Sequence, residues 1–351
     1  MKNVVLYSHR VDNDGYASAA IMNLFFPDYI KYHENDNNVS IKNIPWTYGD
    51  DEPVFEDFLE YDYAVVVDLH FNNELTLKLR NHFGDKFIWV DHHAQCIIDY
   101  ENYCNDLGVS SYVNGFQSKK TNLTHKICNS AAELCWYFLF GCPGTERFDA
   151  VKGTTPTLPI MSSNRLPSVI SLISDFDVWN LESDNSWTDS VYPFQMGSKM
   201  EIKNYNDMMH FLAMCVYTYL PDYNPHDEYY FCQKYINAGK IIIDYENAEC
   251  LKDIRSGKII RTFEFDNRTY KALILNTTKR SSNVFINTPD RDEYDCFICY
   301  NIVEKNGKLQ YRYSMYAFKD DVTCAGMIIN GVKFNGHAHA CGAQSDFFIF
   351  N

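Results

Sequence analysis

The chain has 351 residues, of which 46% are hydrophobic and 22% are charged, and its formal net charge is −15. This length and composition indicate a folded protein with enough residues for two domain cores, and they exclude a disordered chain. The acidic balance argues against a protein that tracks long DNA or RNA, because such proteins need a broad basic surface. The acidic net charge is compatible with a small anionic ligand, because a bound cation can dominate the local electrostatic field in one cleft.

The predicted location is cytoplasmic, without a membrane partner. No apolar run reaches the length of a membrane span, and the N-terminus passes directly into a strand pattern instead of a signal peptide. The twelve cysteines show no framework spacing, so we expect them to be reduced and mostly buried. Cys296 and Cys299 lie three residues apart in a strand pattern, which places them on opposite faces and favours core packing over a metal or redox site.

The first strand pattern, residues 3–7, is followed by a turn that carries His9, Asp12 and Asp14. A helix is predicted over Tyr16–Phe26, and the proline that follows is expected to end it. A capped turn is the simpler interpretation, because Asp is a common helix cap. One residue is enough for a cap, however, and this turn supplies three candidate ligands, so metal ligation is favoured.

Two further predicted strands are also followed by acidic or imidazole side chains. The predicted strands Tyr63–Val67 and Phe87–Val90 are separated by a predicted helix at Asn73–Phe83. The side chains that follow the two strands are Asp68, Asp91, His92 and His93. Strands that alternate with helices predict a parallel sheet, and ligands of such sheets bind outside the carboxyl ends of the strands. So many carboxylates at one edge would repel one another strongly without a cation.

The middle of the chain is predicted to be helical, with one long loop. Ser130 has a glutamate three residues later, which is the capping-box spacing, and a largely buried helix follows. The segment Gly141–Pro159 is interpreted as a surface loop. A further helix over Pro167–Ser174 ends at Asp175, which is expected to face the interior cleft. Asp177 is the less certain candidate, with a solvated helix-end carboxylate as the alternative.

The pattern changes to β-structure near residue 259. Helices are predicted at 205–219 and 226–254. The strands predicted after them are Ile259–Phe265, Tyr270–Leu275, Cys296–Val303 and Leu309–Phe318. The last two strands are joined by an Asn-Gly hairpin signal. A closing run of glycines, alanines and two histidines offers donors to an anion, although on its own it also fits the start of a small-residue helix.

Taken in order, these motifs resemble those of the DHH phosphoesterases that carry a C-terminal DHH-associated domain. That family includes oligoribonucleases (nanoRNases), pAp phosphatases, dinucleotide phosphodiesterases and RecJ exonucleases. The matching motifs are His9-x-x-Asp12-x-Asp14-Gly15, Asp68, Asp91-His92-His93, Asp175 and Gly336-His337-x-x-Ala340-Cys341-Gly342. The resemblance spans nearly the whole chain and implies an α/β fold. It implies a DHH catalytic domain with a parallel sheet and flanking helices at 1–200, a helical connector at 201–255, and a smaller α+β DHH-associated domain at 256–351.

The resemblance also implies a site for two divalent cations. The ligands implied for one cation are His9, Asp12 and Asp68. The ligands implied for the other are Asp14, the bridging Asp68, His92 and Asp175. His93 would stabilise charge at the phosphate, and Asp91 would orient the imidazoles. The residues implied to grip the distal end of the substrate are Gly336, His337, His339, Gly342 and Arg312. The family often has Ser-x-Arg-Ser where this chain has Tyr313–Tyr316, so recognition of that end is expected to differ.

Oxygen ligands with two imidazoles suit Mn²⁺, and less well Mg²⁺. Two adjacent cations can activate a shared water and stabilise the charges of phosphoryl transfer. Together with this chemistry, the resemblance implies a manganese-dependent phosphodiesterase, similar to an exoribonuclease, which hydrolyses short oligonucleotides or linear or cyclic dinucleotides to mononucleotides. Alternatives are a pAp-type phosphomonoesterase, a pyrophosphatase, and a non-catalytic protein that sequesters nucleotides. Long duplex DNA is not an expected partner, and the oligomeric state is open, with a homodimer as one option.

Overall fold

The computed structural model describes residues 1–119, 129–141, 166–181, 183–217, 225–305, 307–319, 321–336 and 339–350. Apart from Gly141, the loop predicted at 141–159 lies outside these residues. The chain divides into two compact units, Met1–Ile241 and Ile242–Asn351. The predicted division into catalytic domain, connector and substrate-binding domain stays a prediction. Within the described ranges, no helix is both long enough and apolar enough to cross a membrane.

The first unit alternates strands and helices over its N-terminal part and is helical afterwards. Its strands are β1 (Lys2–His9), β2 (Val39–Trp46), β3 (Tyr63–Val67) and β4 (Phe87–Val90). Its helices are α1 (Asn13–Glu34), α2 (Asn73–Phe83), α3 (Ala94–Asp106), α4 (Ala131–Phe140), α5 (Ser168–Asp177), α6 (Tyr192–Ser198) and α7 (Tyr205–Tyr217). The helix α8 (Pro225–Gly257) contains the boundary between the two units.

The four strands form a parallel sheet in the order β2-β1-β3-β4, with an apolar core on each face. Alternate residues of a strand point to opposite faces. Val4 and Leu6 accordingly lie in the core formed with α1, α4, α5 and α7. Val5 and Tyr7 lie in the core formed with α2 and α3. Burial on both faces explains why β1, β3 and β4 are nearly continuous apolar runs.

Three local features differ from the sequence predictions. Helix α1 continues through Pro27 to Glu34, where Asn35 ends it in the left-handed conformation at φ 54°. The additional turns bury Tyr29 and Ile30, and this burial compensates for the backbone hydrogen bond that a proline cannot donate. Strand β2 and helix α3 were not predicted.

Within its described residues, the second unit contains a six-stranded mixed sheet, a two-stranded sheet and a short α-helix after α8. Its strands are β5 (Ile259–Phe265), β6 (Arg268–Asn276), β7 (Cys296–Lys305), β8 (Lys308–Tyr316), β9 (Ile328–Ile329), β10 (Val332–Lys333), β11 (Asn335–Gly336) and β12 (Ala340–Ser345), and its helix is α9 (Ser281–Asn287). Six strands pair in the order β11-β12-β8-β7-β6-β5, in which only β6 and β7 are parallel. Cys296 and Cys299 pack in separate cores. The predicted α/β class is confirmed, with a helix-flanked parallel sheet followed by a mixed-sheet unit.

Candidate metal centre

The carboxyl ends of β1, β3 and β4 place the predicted ligands at one edge of the parallel sheet. The chain leaves β1 towards β2 on one side and leaves β3 towards β4 on the other, so β1 and β3 flank the point where the strand order reverses. Such points are the usual ligand sites of open parallel sheets. Asp68 follows β3 in the left-handed conformation, at φ 58°, and its N–H donates to Val90 O at 2.9 Å. This turn directs the buried Asp68 carboxylate into the space between the two strands.

The first group of candidate ligands consists of His9, Asp12 and Asp68. His9 Nδ1 lies 3.5 Å from a carboxylate oxygen of Asp12 and 3.5 Å from one of Asp68. On the other side of the ring, His9 Nε2 lies 3.3 Å from Thr47 Oγ1. Gly15 makes this turn possible, since a Cβ at that position would lie 2.3 Å from the carbonyl oxygen of His9. The Asp12 carboxylate, followed by that of Asp68, raises the pKa of His9 to about 10.

A second group is centred on His92. Its Nε2 lies 3.4 Å from Asp68 Oδ1, 3.4 Å from Asp177 Oδ2 and 3.8 Å from Asp14 Oδ2. Asp14 is held in place by the first turn of α4. Its two carboxylate oxygens accept the N–H groups of Ala131 and Ala132, each at 2.9 Å. A helix N-terminus is a favourable position for a negative charge, so α4 belongs to the framework of the site.

Asp91 and His93 form the third part of the cluster. The buried carboxylate of Asp91 accepts from the backbone N–H of His92 at 2.8 Å, and its Oδ1 lies 2.7 Å from His93 Nδ1. This contact fixes the orientation of the His93 imidazole through Nδ1, and the other ring nitrogen, Nε2, does not contact Asp91. The carboxylate of Asp91, despite the opposing effect of burial, raises the pKa of His93. A ligand atom of His93 lies within 4.8 Å of ligand atoms of Asp68 and His92.

The electrostatics of the cluster fit a divalent cation. Burial, followed by the charges of Asp68 and Asp177, raises the pKa of Asp14 well above its usual range. Burial raises the pKa of Asp177 to about 7. His9 Nδ1 and Asp177 Oδ2 are buried and make no hydrogen bond, although buried polar atoms normally have a partner. Crowded carboxylates and imidazole nitrogens without partners are the donor set that Mn²⁺ and related cations bind.

Asp177 occupies the place that the sequence interpretation gave to Asp175. The described structure does not bring Asp175 to the cluster. Its carboxylate accepts hydrogen bonds from Asn180 Nδ2 at 2.8 Å, Ser183 Oγ at 2.5 Å and Asn185 Nδ2 at 2.7 Å. Helix α5 extends to Asp177, three residues beyond the predicted end. Successive side chains of a helix lie about 100° apart around the axis, so residues i and i+2 point in different directions.

The residues expected to bind the distal end of a substrate lie in the second unit. Gly336 has φ 145° and pairs with Cys341, while Gly342 pairs with Ser314. His339 is exposed, and its Nδ1 lies 3.0 Å from Ala317 O. Arg312 is exposed on β8. His337 lies outside the described residues.

A turn after β2 contacts three imidazoles and was missed by the sequence interpretation. Thr47 contacts His9, as described above. The hydroxyl of Tyr48 lies 2.8 Å from His70 Nδ1, and its ring lies edge-to-face with that of His93 at 6.4 Å between centroids. The short sequence between Trp46 and Gly49 carries no motif, and only the pairing of β2 with β1 brings these residues to the site.

No family model matches this chain, and no curated protein matches it. Among solved structures, the pGpG-specific phosphodiesterase PggH from Vibrio cholerae is similar, with a TM-score of 0.42, 13% sequence identity, and coverage of 98% of this chain and 93% of that one. With a TM-score this low, function has to be inferred from the residues of the site alone.

Proposed function

We propose that this chain is a phosphoesterase of the DHH type that requires divalent cations. It would hydrolyse phosphodiester bonds of short oligonucleotides or dinucleotides and release mononucleotides. The observation that carries this proposal is the position of Asp68. Its carboxylate belongs both to the group with His9 and Asp12 and to the group with His92 and His93. One carboxylate shared by two neighbouring groups suits a bridging ligand between two cations.

The residues that would hold the cations are the clustered ligand candidates other than His93, which would face the phosphate. They are His9, Asp12, Asp14, Asp68, His92 and Asp177. When bound, two cations supply an activated water and offset the negative charge of the phosphoryl group. Mn²⁺ is the preferred candidate, because the set combines carboxylates with imidazoles.

The other residues of the site would position the reactants. The Asp91 carboxylate fixes His93 through Nδ1, so the opposite nitrogen of that ring can donate to a phosphoryl oxygen. The amides of Ala131 and Ala132 hold Asp14 by both oxygens, so this carboxylate cannot rotate away when a substrate enters. Preorganised donors and fixed ligands are the main protein contribution to phosphoryl transfer.

The acidic chain favours a short substrate over a long one. At a formal net charge of −15, an extended polyanion would be repelled outside the site, and the proposed cations could offset only the few phosphates near them. A dinucleotide or a short oligonucleotide fits this limit. The distal end of the substrate would be bound by residues of the second unit, with Gly336, Gly342, His339, Arg312 and His337 as the proposed set.

The test is a substrate panel in the presence of Mn²⁺ or Mg²⁺. It contains a linear dinucleotide, a five-nucleotide RNA, a cyclic dinucleotide, pAp and pyrophosphate, with Asp68→Ala as the matched control. Mononucleotides released from the dinucleotide or the RNA by wild type, but not by the control, would support the proposal. Release of inorganic phosphate from pAp alone would indicate a phosphomonoesterase, and saturable binding without any product would indicate a sequestering protein. Either outcome would refute the proposal.

A further inference from the structure

Four aromatic rings at and after the end of α5 form what we call the aromatic stack: Phe176, Trp179, Trp187 and Tyr192. The Trp187 ring is central. It is parallel to Phe176, with 5.6 Å between centroids and 7° between planes, and parallel to Tyr192, at 6.5 Å and 2°. Trp179 stacks on Trp187 at 5.4 Å and 27°. The stack begins at the residue before Asp177 and is therefore continuous in sequence with the metal cluster.

The backbone fixes the rings of the stack in place. Trp187–Val191 is a π-helical turn, in which the N–H of Tyr192 donates to the carbonyl of Trp187. This bond spans five residues instead of four, which brings the rings at its two ends into parallel alignment. Single π-helical turns are rare and are frequent at functional sites. The segment between Trp179 and Trp187 is held by Asp175, whose carboxylate accepts from Asn180, Ser183 and Asn185.

Trp179 differs from the other members of the stack in exposure and backbone conformation. Its side chain is 62% exposed, and its φ is 53°, in the left-handed region that bulky residues rarely adopt. Such a conformation costs free energy and persists only where the surrounding structure imposes it. An indole that stays mostly in water recovers little of this cost through burial. Trp179 is therefore not explained as a core residue.

Trp179 is close in sequence to the cluster residue Asp177. Asp177 and Trp179 are two residues apart, so their Cα atoms lie within about 7 Å of each other. One face of the indole is covered by Trp187, and within the described residues no other ring contacts it. A flat, exposed ring that is backed by a second ring suits stacking by a nucleobase.

We infer that the Trp179 indole is a stacking platform for a nucleobase of the nucleotide substrate. This inference rests on the proposed function, and it adds a base-binding subsite and its ligand class. Stacking is tolerant of sequence because every base has a π-face, and purines overlap the indole more than pyrimidines do. The platform would therefore favour purines without excluding pyrimidines. Asp175 acts as a positioning residue for the segment that carries the platform.

The test compares GMP with ribose 5-phosphate, which differ by the base. Affinities are measured by isothermal titration calorimetry at one saturating Mn²⁺ concentration, because the phosphate of either ligand would otherwise meet uncompensated carboxylates. Both ligands are phosphomonoesters, which the proposed phosphodiesterase does not hydrolyse. Wild type is expected to bind GMP more tightly than ribose 5-phosphate, and Trp179→Ala to remove that difference by weakening GMP about 5- to 150-fold. Trp179→Phe should retain most of it. Tyr32→Ala is the matched control, because this aromatic residue is 60% exposed and lies about 27 Å from Asp14 along α1.

The possible results distinguish a stacking platform at Trp179 from other roles of this residue. Equal affinities of wild type for the two ligands, or an unchanged GMP affinity in a folded Trp179→Ala variant, would overturn the platform. A dimer that dissociates in Trp179→Ala while its GMP affinity is unchanged would instead assign the indole to an interface between copies. If GMP binding depends on Trp179 but no substrate of the panel is hydrolysed, the platform stands and the proposed hydrolysis fails.

Discussion

Asp175 and Asp177 at the end of α5 provide a sharp test of the site, because they are two residues apart but differ in their hydrogen bonding. Asp177 Oδ2 is buried without a hydrogen bond, 3.4 Å from His92 Nε2. Asp175 is buried and accepts three side-chain hydrogen bonds. We expect Asp177→Asn to remove a cation ligand while leaving the fold intact. We expect Asp175→Asn to weaken the fold while leaving the cation ligands in place.

The sign and size of the Asp177 effect follow from its pKa. Burial raises this pKa from 3.8 to about 7, so the folded state binds more protons than the unfolded state between these two values. The stability of the cation-free protein therefore falls as pH rises from about 4 to about 7 and stays reduced above that. A shift of three pKa units corresponds to about 4 kcal/mol. In EDTA, a rise in pH from 4 to 8 should thus destabilise wild type more than Asp177→Asn, by at most about 4 kcal/mol.

Asp175→Asn is expected to act in the opposite direction. A hydrogen bond to a charged group contributes about 1.5–3 kcal/mol, and an amide in this place retains one acceptor but adds donors that face Asn180 and Asn185. We estimate a net loss of about 2–4 kcal/mol from the free energy of unfolding. This loss should be present at pH 8 with or without cations.

Urea unfolding at pH 4 and pH 8, with EDTA or with Mn²⁺, measures all of these effects. A cation that binds only the folded state adds RT ln(1 + [L]/Kd) to the stability. Wild type and Asp175→Asn should gain this term, and Asp177→Asn should gain much less. If Asp177→Asn kept the full gain from Mn²⁺ while Asp175→Asn lost it, the assignment of the two carboxylates would be reversed.

Three further predictions concern the neighbours of this pair. Asp68→Ala should abolish turnover of the dinucleotide with an unchanged circular dichroism spectrum, and near-normal activity would refute the shared ligand. Thr47→Val should lower the affinity for Mn²⁺ by about 10- to 100-fold in calorimetry, because the partner that orients the ligand His9 is lost; an unchanged affinity would exclude that role. Gly15→Ala should weaken both Mn²⁺ binding and urea resistance, since its Cβ would lie 2.3 Å from the His9 carbonyl oxygen, and a variant that retains both would show that the turn can relax.

The sequence was sufficient where a single pattern determined the structure. The bounds of β3 and α2 agree with the apolar run at Tyr63–Val67 and with the stop at Gly84, which has φ 57°. Asp68 and Asp91 lie directly after β3 and β4, and their positions follow from where the apolar runs of these strands end. Residues that depend on tertiary pairing could not be found in this way. Thr47 reaches His9 only because β2 lies beside β1.

The choice between Asp175 and Asp177 shows a second limit. Both residues follow the same apolar run, and either can end a helix. What separates them is the segment after α5, where Asn180, Ser183 and Asn185 turn back and donate to Asp175. Polar residues of this kind are common in any loop. Their partner is therefore determined by the path of the chain, and the path is not encoded in a local motif.

The charge balance of the site has a consequence for the order in which ligands bind. Within the described ranges, the ion pairs of Asp12, Asp14, Asp68 and Asp177 are with histidines, and no lysine or arginine lies within 4 Å of them. Protons on His9 and His92 partly offset the carboxylates in the cation-free state, but these protons must leave before the ring nitrogens can bind a cation. Cation binding should therefore release protons. The carboxylate charges, which the protonated histidines offset only partly, would then be offset more strongly by the divalent cations. Since a phosphate would otherwise meet uncompensated carboxylates, a phosphoester should bind this edge of the sheet tightly only after the cations.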